Sequence, residues 1–203
     1  MEKDFQKLLD KTLKEIAEEG KIPKLLLHRC CAPCSSYVLS YLSDYFDITV
    51  YYYNPNISPE EEFEKRFLEQ KRLVSEMKFK NKVEVFKEAY DGNEFESEIK
   101  GLEKEPEGGA RCEKCFRIRL KKAAEFAKSG GYDYFATTLS VSPYKNAGKL
   151  NAIGSELSDV LGVSFLFADF KKKEGYKRSI ELSKAYGLYR QDYCGCIYSK
   201  RLT

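Results

Sequence analysis

Five short apolar runs punctuate the chain: Lys24–His28, Ile48–Tyr53, Val83–Phe86, Tyr134–Thr137 and Ser164–Ala168. Each reads as a strand. Between and around them hydrophobic residues recur at helical spacing. The first such segment, Met1–Glu19, places Phe5, Leu8, Leu9, Leu13 and Ile16 along one face. Further helices are expected from the Cys30–Cys34 loop to about Tyr45, over Glu60–Lys78 behind Pro59, and over the short Gly92–Lys100. Three more are expected over Cys112–Lys128, Ala147–Leu161 and Tyr176–Tyr186, the first of them after the Glu105–Gly109 break. No repeat or low-complexity linker divides the chain. The alternation predicts an α/β fold, a five-stranded parallel sheet with helices on both faces. It forms one domain: an N-terminal helix (1–20), a core (21–170) and a helical, cysteine-bearing tail (171–203).

That architecture says where chemistry belongs before any motif is read. Open parallel sheets bind ligands beyond the carboxyl ends of their strands. Cys30–Cys34, Asn54-Pro-Asn56, Tyr90-Asp91, Ser140–Lys145 and Asp169–Lys171 each follow a strand directly, so they should converge on one rim.

Composition narrows the classes. No apolar run approaches membrane-spanning length, and the charged first helix is unlike an export signal, so a cytoplasmic protein is expected. Lys and Arg number 35 against 32 Asp and Glu, a net charge of only +3, so contact with nucleic acid must come from a local patch. Seven cysteines against a single histidine change the picture most. The count is odd and no export signal is evident, which disfavours a disulfide framework.

The cysteines fall into three clusters: Cys30-Cys31-Ala-Pro-Cys34, Cys112-Glu-Lys-Cys115 and Cys194-Gly-Cys196. Helix N-termini and strand-end loops favour thiolates, the form that binds metals. Zinc takes four ligands and leaves three thiols idle, whereas adjacent thiolates such as Cys30 and Cys31 can reach two neighbouring irons of one cubane. Cys30, Cys31, Cys112 and Cys115 are therefore expected to hold a [4Fe–4S] cluster, with Cys34 as substitute. Cys194 and Cys196, joined through the permissive Gly195, read as a redox pair closing a small, easily reduced ring. They read equally as ligands of a second iron completed by Asp91 or Asp169.

Four segments then carry a resemblance: His28-Arg-Cys-Cys-Ala-Pro-Cys34, Tyr53-Asn-Pro-Asn-Ile57, Glu107-Gly-Gly-Ala-Arg-Cys-Glu-Lys-Cys-Phe-Arg117 and Tyr189-Arg-Gln-Asp-Tyr-Cys-Gly-Cys196. In this order, from about Pro23 to Ser199, they resemble the QueH-type epoxyqueuosine reductases. The resemblance implies an iron–sulfur oxidoreductase that reduces the epoxide of epoxyqueuosine, at the wobble position of tRNA, to the alkene of queuosine. It also implies a fold similar to the adenine-nucleotide hydrolase-like, or PP-loop, arrangement. There a Ser-Gly-Gly loop cradles phosphate; here Cys30–Cys34 takes its place, which speaks against ATP use. No Gly-rich nicotinamide or flavin fingerprint follows any strand, so electrons should come from an external ferredoxin- or flavodoxin-like protein.

Removing the epoxide oxygen takes two electrons and two protons and releases water, so a donor must stabilise the developing alkoxide. Lys145, Arg111, Tyr144 and His28 are the candidates, with His28 also readable as a structural strand-end residue and Arg111 as a screen for the thiolates. For RNA, the basic residues Lys171, Lys172, Lys173, Lys177, Arg178, Arg190, Lys200 and Arg201 adjoin the aromatics Tyr176, Tyr189, Tyr193 and Tyr198, which can stack on unpaired bases. Two other classes stay open: a zinc-stabilised tRNA-binding module, and a tRNA sulfur-transfer enzyme lacking the usual adenylating loop.

Overall fold

The computed structural model describes residues 4–200. Strands β1 (Lys24–His28), β2 (Asp47–Tyr52), β3 (Val83–Lys87), β4 (Tyr134–Thr137) and β5 (Ser164–Phe165) form one parallel sheet in the order β3-β2-β1-β4-β5. Around it run α1 (Phe5–Glu19), α2 (Ala32–Leu42), α3 (Glu60–Glu76), α4 (Gly92–Glu98), α5 (Ala110–Ser129), α6 (Ala147–Leu161) and α7 (Gly175–Ala185). Asp4 caps α1 by accepting from the Lys7 N–H, and left-handed Gly20 ends it.

The unbroken Leu25-Leu26-Leu27 run is explained by the position of β1 at the centre of the sheet. Successive strand side chains point to opposite faces, and both faces here are covered. Leu25 and Leu27 pack with Leu9 and Leu13 of α1 and Leu39 of α2, while Leu26 packs with Phe116 and Leu120 of α5 and Leu150 of α6. The two helical layers expected from the alternation of elements are present.

Several boundaries differ from the sequence expectation. β5 stops at Phe165 although Leu166 and Ala168 are buried. Buried Asn151 of α6 donates to the Ala168 carbonyl (2.9 Å) and accepts from its N–H (3.0 Å), satisfying the backbone that a ladder would otherwise pair. After β4 the chain tightens into a 3₁₀ turn over Thr138–Val141, held by the Leu139 N–H on Thr137 Oγ1. Helix α2 begins at Ala32, inside the expected cysteine loop, and α5 at Ala110, just ahead of its expected start at Cys112, so Cys34 and Cys112 both lie within first turns. No described helix is long and apolar enough to cross a membrane.

A candidate thiol-lined active site

β1 and β4 are neighbours, yet the chain leaves them in opposite directions, into α2 on one face and toward α6 on the other. Such a switch point opens a crevice at the carboxyl ends of the strands. A cavity of about 370 Å³ occupies it, lined by Cys30, Cys31, Cys34 and Cys194 together with Tyr144 and Lys145. A second, much narrower pocket is lined by Cys112, Cys115, Cys194, Cys196 and Arg119, again with Lys145. All seven thiols, from three distant parts of the sequence, therefore face two adjoining spaces that share Cys194 and Lys145. They are unbridged. Among the described residues, no three Cys, His, Asp or Glu side chains converge on a single ion-sized point.

Local structure sets each position. Cys31 is the N-cap of α2 and Cys34 lies in its first turn. Cys112 and Cys115, three residues apart, share one face of α5, and Arg119 follows one turn later on that face. Gly195 adopts φ +124°, and a Cβ there would stand 2.9 Å from Ile57 and 3.2 Å from the Arg66 guanidinium, so only glycine passes between Cys194 and Cys196. The Gly195 carbonyl accepts from the Ser58 N–H (2.9 Å), and Arg66 donates to the Cys194 carbonyl (3.2 Å), anchoring this segment over the rim.

Three of the thiols, Cys30, Cys31 and Cys115, are held protonated. Cys30 lies 3.9 Å from Cys31, sulfur to sulfur, and this contact together with burial keeps its pKa well above the ordinary value. For Cys31 the bond from Cys30 lowers the pKa, but Cys34 and burial outweigh it and raise it to about 11. Burial lifts Cys115 to about 12. Lys145 lies opposite, its Nζ 3.0 Å from Cys194 Sγ and 3.7 Å from the Glu107 carboxylate. Burial favours its neutral form, but the charge interaction and hydrogen bond with Cys194 more than offset this and raise the pKa, so the side chain stays an ammonium.

A family model described as epoxyqueuosine reductase QueH matches residues 25–202. Epoxyqueuosine reductase QueH of Streptococcus pyogenes is 42% identical over 201 residues, covering 98% of this chain and 79% of its own. Its namesake from Staphylococcus epidermidis is 42% identical over 202 residues, 97% of this chain and 84% of its own. That of Thermotoga maritima is 35% identical over 178 residues, 86% of this chain and 89% of its own. The chain belongs to the epoxyqueuosine reductase QueH family. The family places it among the oxidoreductases.

Within this QueH fold several residues singled out from sequence have other work. His28 is wholly buried: its Nε2 lies 3.1 Å from the Tyr53 carbonyl, which can only accept, so Nε2 carries the proton. Nδ1 then accepts from Thr137 Oγ1 (3.0 Å), which itself accepts from the Leu139 N–H. Burial first, and then the Arg119 charge, depress the His28 pKa to about 3, so it is a neutral structural link between strand ends. Arg111 lines the narrower thiol pocket beside Arg119, with its Nε unpartnered. Its guanidinium donates to the carbonyls of Leu102, Glu103 and Glu105 and lies over the Tyr198 ring, clasping the loop ahead of α5. Asp91 is exposed, caps α4 through the Asn93 N–H (3.0 Å) and lines neither thiol cavity. Asp169 is buried but bound to Lys171 Nζ at 2.6 Å.

The expected RNA patch is likewise partly committed. Lys173 pairs with Asp10 (2.6 Å) and Lys177 with Glu174 (3.1 Å). The Tyr189 phenol donates to Glu62 with Lys65 over its ring, Tyr193 donates to the Ser58 carbonyl, and Tyr198 donates to Glu96. Tyr176 and Arg190 instead line the larger thiol cavity. Lys172 and Lys171 line an open groove of about 820 Å³, which meets that cavity at Tyr144 and Lys145. Tyr144 is 78% exposed at this junction. Arg201 lies outside the described residues.

Sequence reading missed three arginines. Arg29, Arg66 and Arg119 are each at most 1% exposed. A signal for two of them existed. Arg66 occupies the buried stripe of α3 with Phe63, Gln70 and Leu73, and Arg119 that of α5 with Phe116, Leu120 and Ala123. A cation in an apolar stripe is expensive unless something anionic faces it.

Proposed function

We propose that this chain reduces the epoxide of epoxyqueuosine in tRNA to the alkene of queuosine, using an iron–sulfur cluster bound by its cysteines. The single observation that carries the reading is the convergence of all three cysteine clusters, with an ammonium at Lys145, on the switch point between β1 and β4. The residues present suit such a group. Seven thiols surround an extended space, and buried guanidinium N–H groups of Arg29, Arg66 and Arg119 have no hydrogen-bond partner, as a site built to receive an anionic group requires.

Cys30 and Cys31 from the larger cavity and Cys112 and Cys115 from the adjoining pocket would hold a [4Fe–4S] cluster, with Cys34 in reserve. When bound, the cluster supplies electrons singly at low potential. Cys194 and Cys196 serve as the dithiol that stores the remaining electron equivalents, or as ligands of a second iron. Lys145 presents its Nζ proton to the epoxide oxygen as the C–O bond opens, and Tyr144 stacks beside the entering base. Two electrons from a ferredoxin- or flavodoxin-like carrier and two protons yield the alkene and water. The sheet is of the PP-loop type, with Cys30–Cys34 in place of the phosphate loop.

Anaerobically purified protein should contain iron and acid-labile sulfide. With a chemical reductant it should convert an anticodon stem-loop bearing epoxyqueuosine to a product lighter by one oxygen atom, read by mass spectrometry. A colourless preparation holding zinc alone, with the stem-loop bound but unchanged, would identify a zinc-stabilised RNA-binding module instead.

A further inference from the structure

The three buried arginines do not share one environment. Arg66 Nε is bound to Glu62 at 2.7 Å, an ordinary ion pair. Arg29 and Arg119 have no carboxylate within ion-pair range among the described residues. Arg29, fully buried, donates only to the Arg66 carbonyl (3.1 Å) and lies 3.9 Å over the Tyr52 ring, leaving Nε and one terminal nitrogen without a partner. Arg119 donates from Nε to the Cys115 carbonyl (3.2 Å) and is 3.5 Å from Asn54 Oδ1, leaving its other terminal nitrogen unpartnered. That side chain lines the pocket shared by Cys112, Cys115, Cys194 and Cys196.

Two full charges of like sign thus sit in the interior with unfilled donors, Arg119 in the lining of a thiol pocket and Arg29 directly before Cys30 in the chain. An uncompensated interior cation costs several kcal/mol, and a chain with this little net charge has no bulk reason to bury one. The cost is offset once thiolates and bridging sulfides replace the thiols, because a tetrathiolate iron–sulfur cluster is an anion. Each one-electron reduction adds a further negative charge, so a nearby fixed cation stabilises the reduced form over the oxidised one. Arg is suited to this, since it cannot shed its proton and its planar N–H fork bonds sulfur or carbonyl acceptors without losing charge.

We propose that Arg119, backed by Arg29, is the built-in counter-cation of the thiolate-bound cluster: a positioning residue that sets the reduction potential and couples loading to stability. The inference rests on the iron–sulfur reading above. It gives the unfilled N–H groups an anionic partner and sets Arg119 beside Arg111 in the lining of the same thiol pocket.

The test compares wild type, Arg119→Met and Arg119→Lys, with Arg29→Met as a second neutralising variant should the first fail to fold. Each is reconstituted anaerobically with iron and sulfide. Iron content, the midpoint potential from a spectroelectrochemical titration, and Tm before and after loading are then recorded. Neutralising the arginine should lower the midpoint potential by about 59 mV or more, a tenfold loss in relative stabilisation of the reduced form for a one-electron couple. It should also shrink the rise in Tm on loading, and Arg119→Lys should restore most of both. A purely structural arginine would change Tm equally in loaded and empty protein and leave the potential alone. Wild type that takes up no iron and sulfide overturns the proposal together with the reading beneath it. Wild type that loads normally, beside neutral variants of unchanged potential and loading gain, overturns this proposal alone.

Discussion

Acidifying the metal-free protein from about pH 7 to about pH 5 should remove about 2 kcal/mol of stability through His28 alone, a magnitude that follows from its burial. The folded chain holds this imidazole neutral with a pKa of about 3, against 6.5 for the free side chain. Between these values the unfolded chain binds a proton that the folded chain refuses. Stability therefore rises with pH across this window, is complete above the unfolded pKa, and is lost as pH falls toward the folded one. The slope for one proton is about 1.4 kcal/mol per pH unit, and the full difference is of the order of 5 kcal/mol. The hydrogen bonds agree in sign. Protonating Nδ1 would turn the acceptor that meets the Thr137 hydroxyl into a donor, and would set a new charge beside Arg119 and Arg29. Other groups also titrate in this range, so the assay is comparative: urea denaturation of wild type and His28→Gln at several pH values. Glutamine retains an N–H for the Tyr53 carbonyl but cannot titrate. It should be less stable at neutral pH, and its stability should fall less steeply on acidification, so that the gap narrows by about 2 kcal/mol at about pH 5. Parallel curves for the two proteins would refute a neutral buried His28.

Cys112→Ala and Cys115→Ala should each abolish the iron–sulfur chromophore, whereas Cys196→Ala should keep it without turnover; bleaching in Cys196→Ala, read by visible absorption and iron content, would make the tail thiols ligands. Lys145→Met should retain cluster loading but lose about 10²–10³ in single-turnover rate, the usual effect of removing a donor to a developing oxyanion, and an unchanged rate would send the proton elsewhere. Lys172→Glu should weaken stem-loop binding and flatten its salt dependence. Tyr144→Ala should instead cost about 1–3 kcal/mol of affinity at nearly constant salt slope. Wild-type binding by both variants in a salt titration would place the RNA away from the groove beside α6.

The parallel sheet, its two helical layers and the gathering of cysteines at one rim were legible in the amino-acid order, because they depend on local periodicity and on the rule that strand ends face one way. Leu25–Leu27 between Lys24 and His28 reads as a covered central strand, and Cys112 and Cys115 at helical spacing must share a face. Four ordered segments, three of them bearing cysteines, also sufficed for the family. What tertiary structure alone decided is which charges are free. Arg111 and Arg119 lie on the same helix and line the same thiol pocket, yet one spends most of its donors on the carbonyls of a loop and the other bonds its own helix and Asn54. Lys172 and Lys173 are adjacent, yet Lys173 finds Asp10 on α1, across 163 positions of sequence. Asp91, a candidate ligand at a strand end, caps its own helix. Burial and pairing of charge depend on which distant elements meet, and the β1–β4 adjacency made by the sheet order is what brings residues near 30, 115, 145 and 194 around one space.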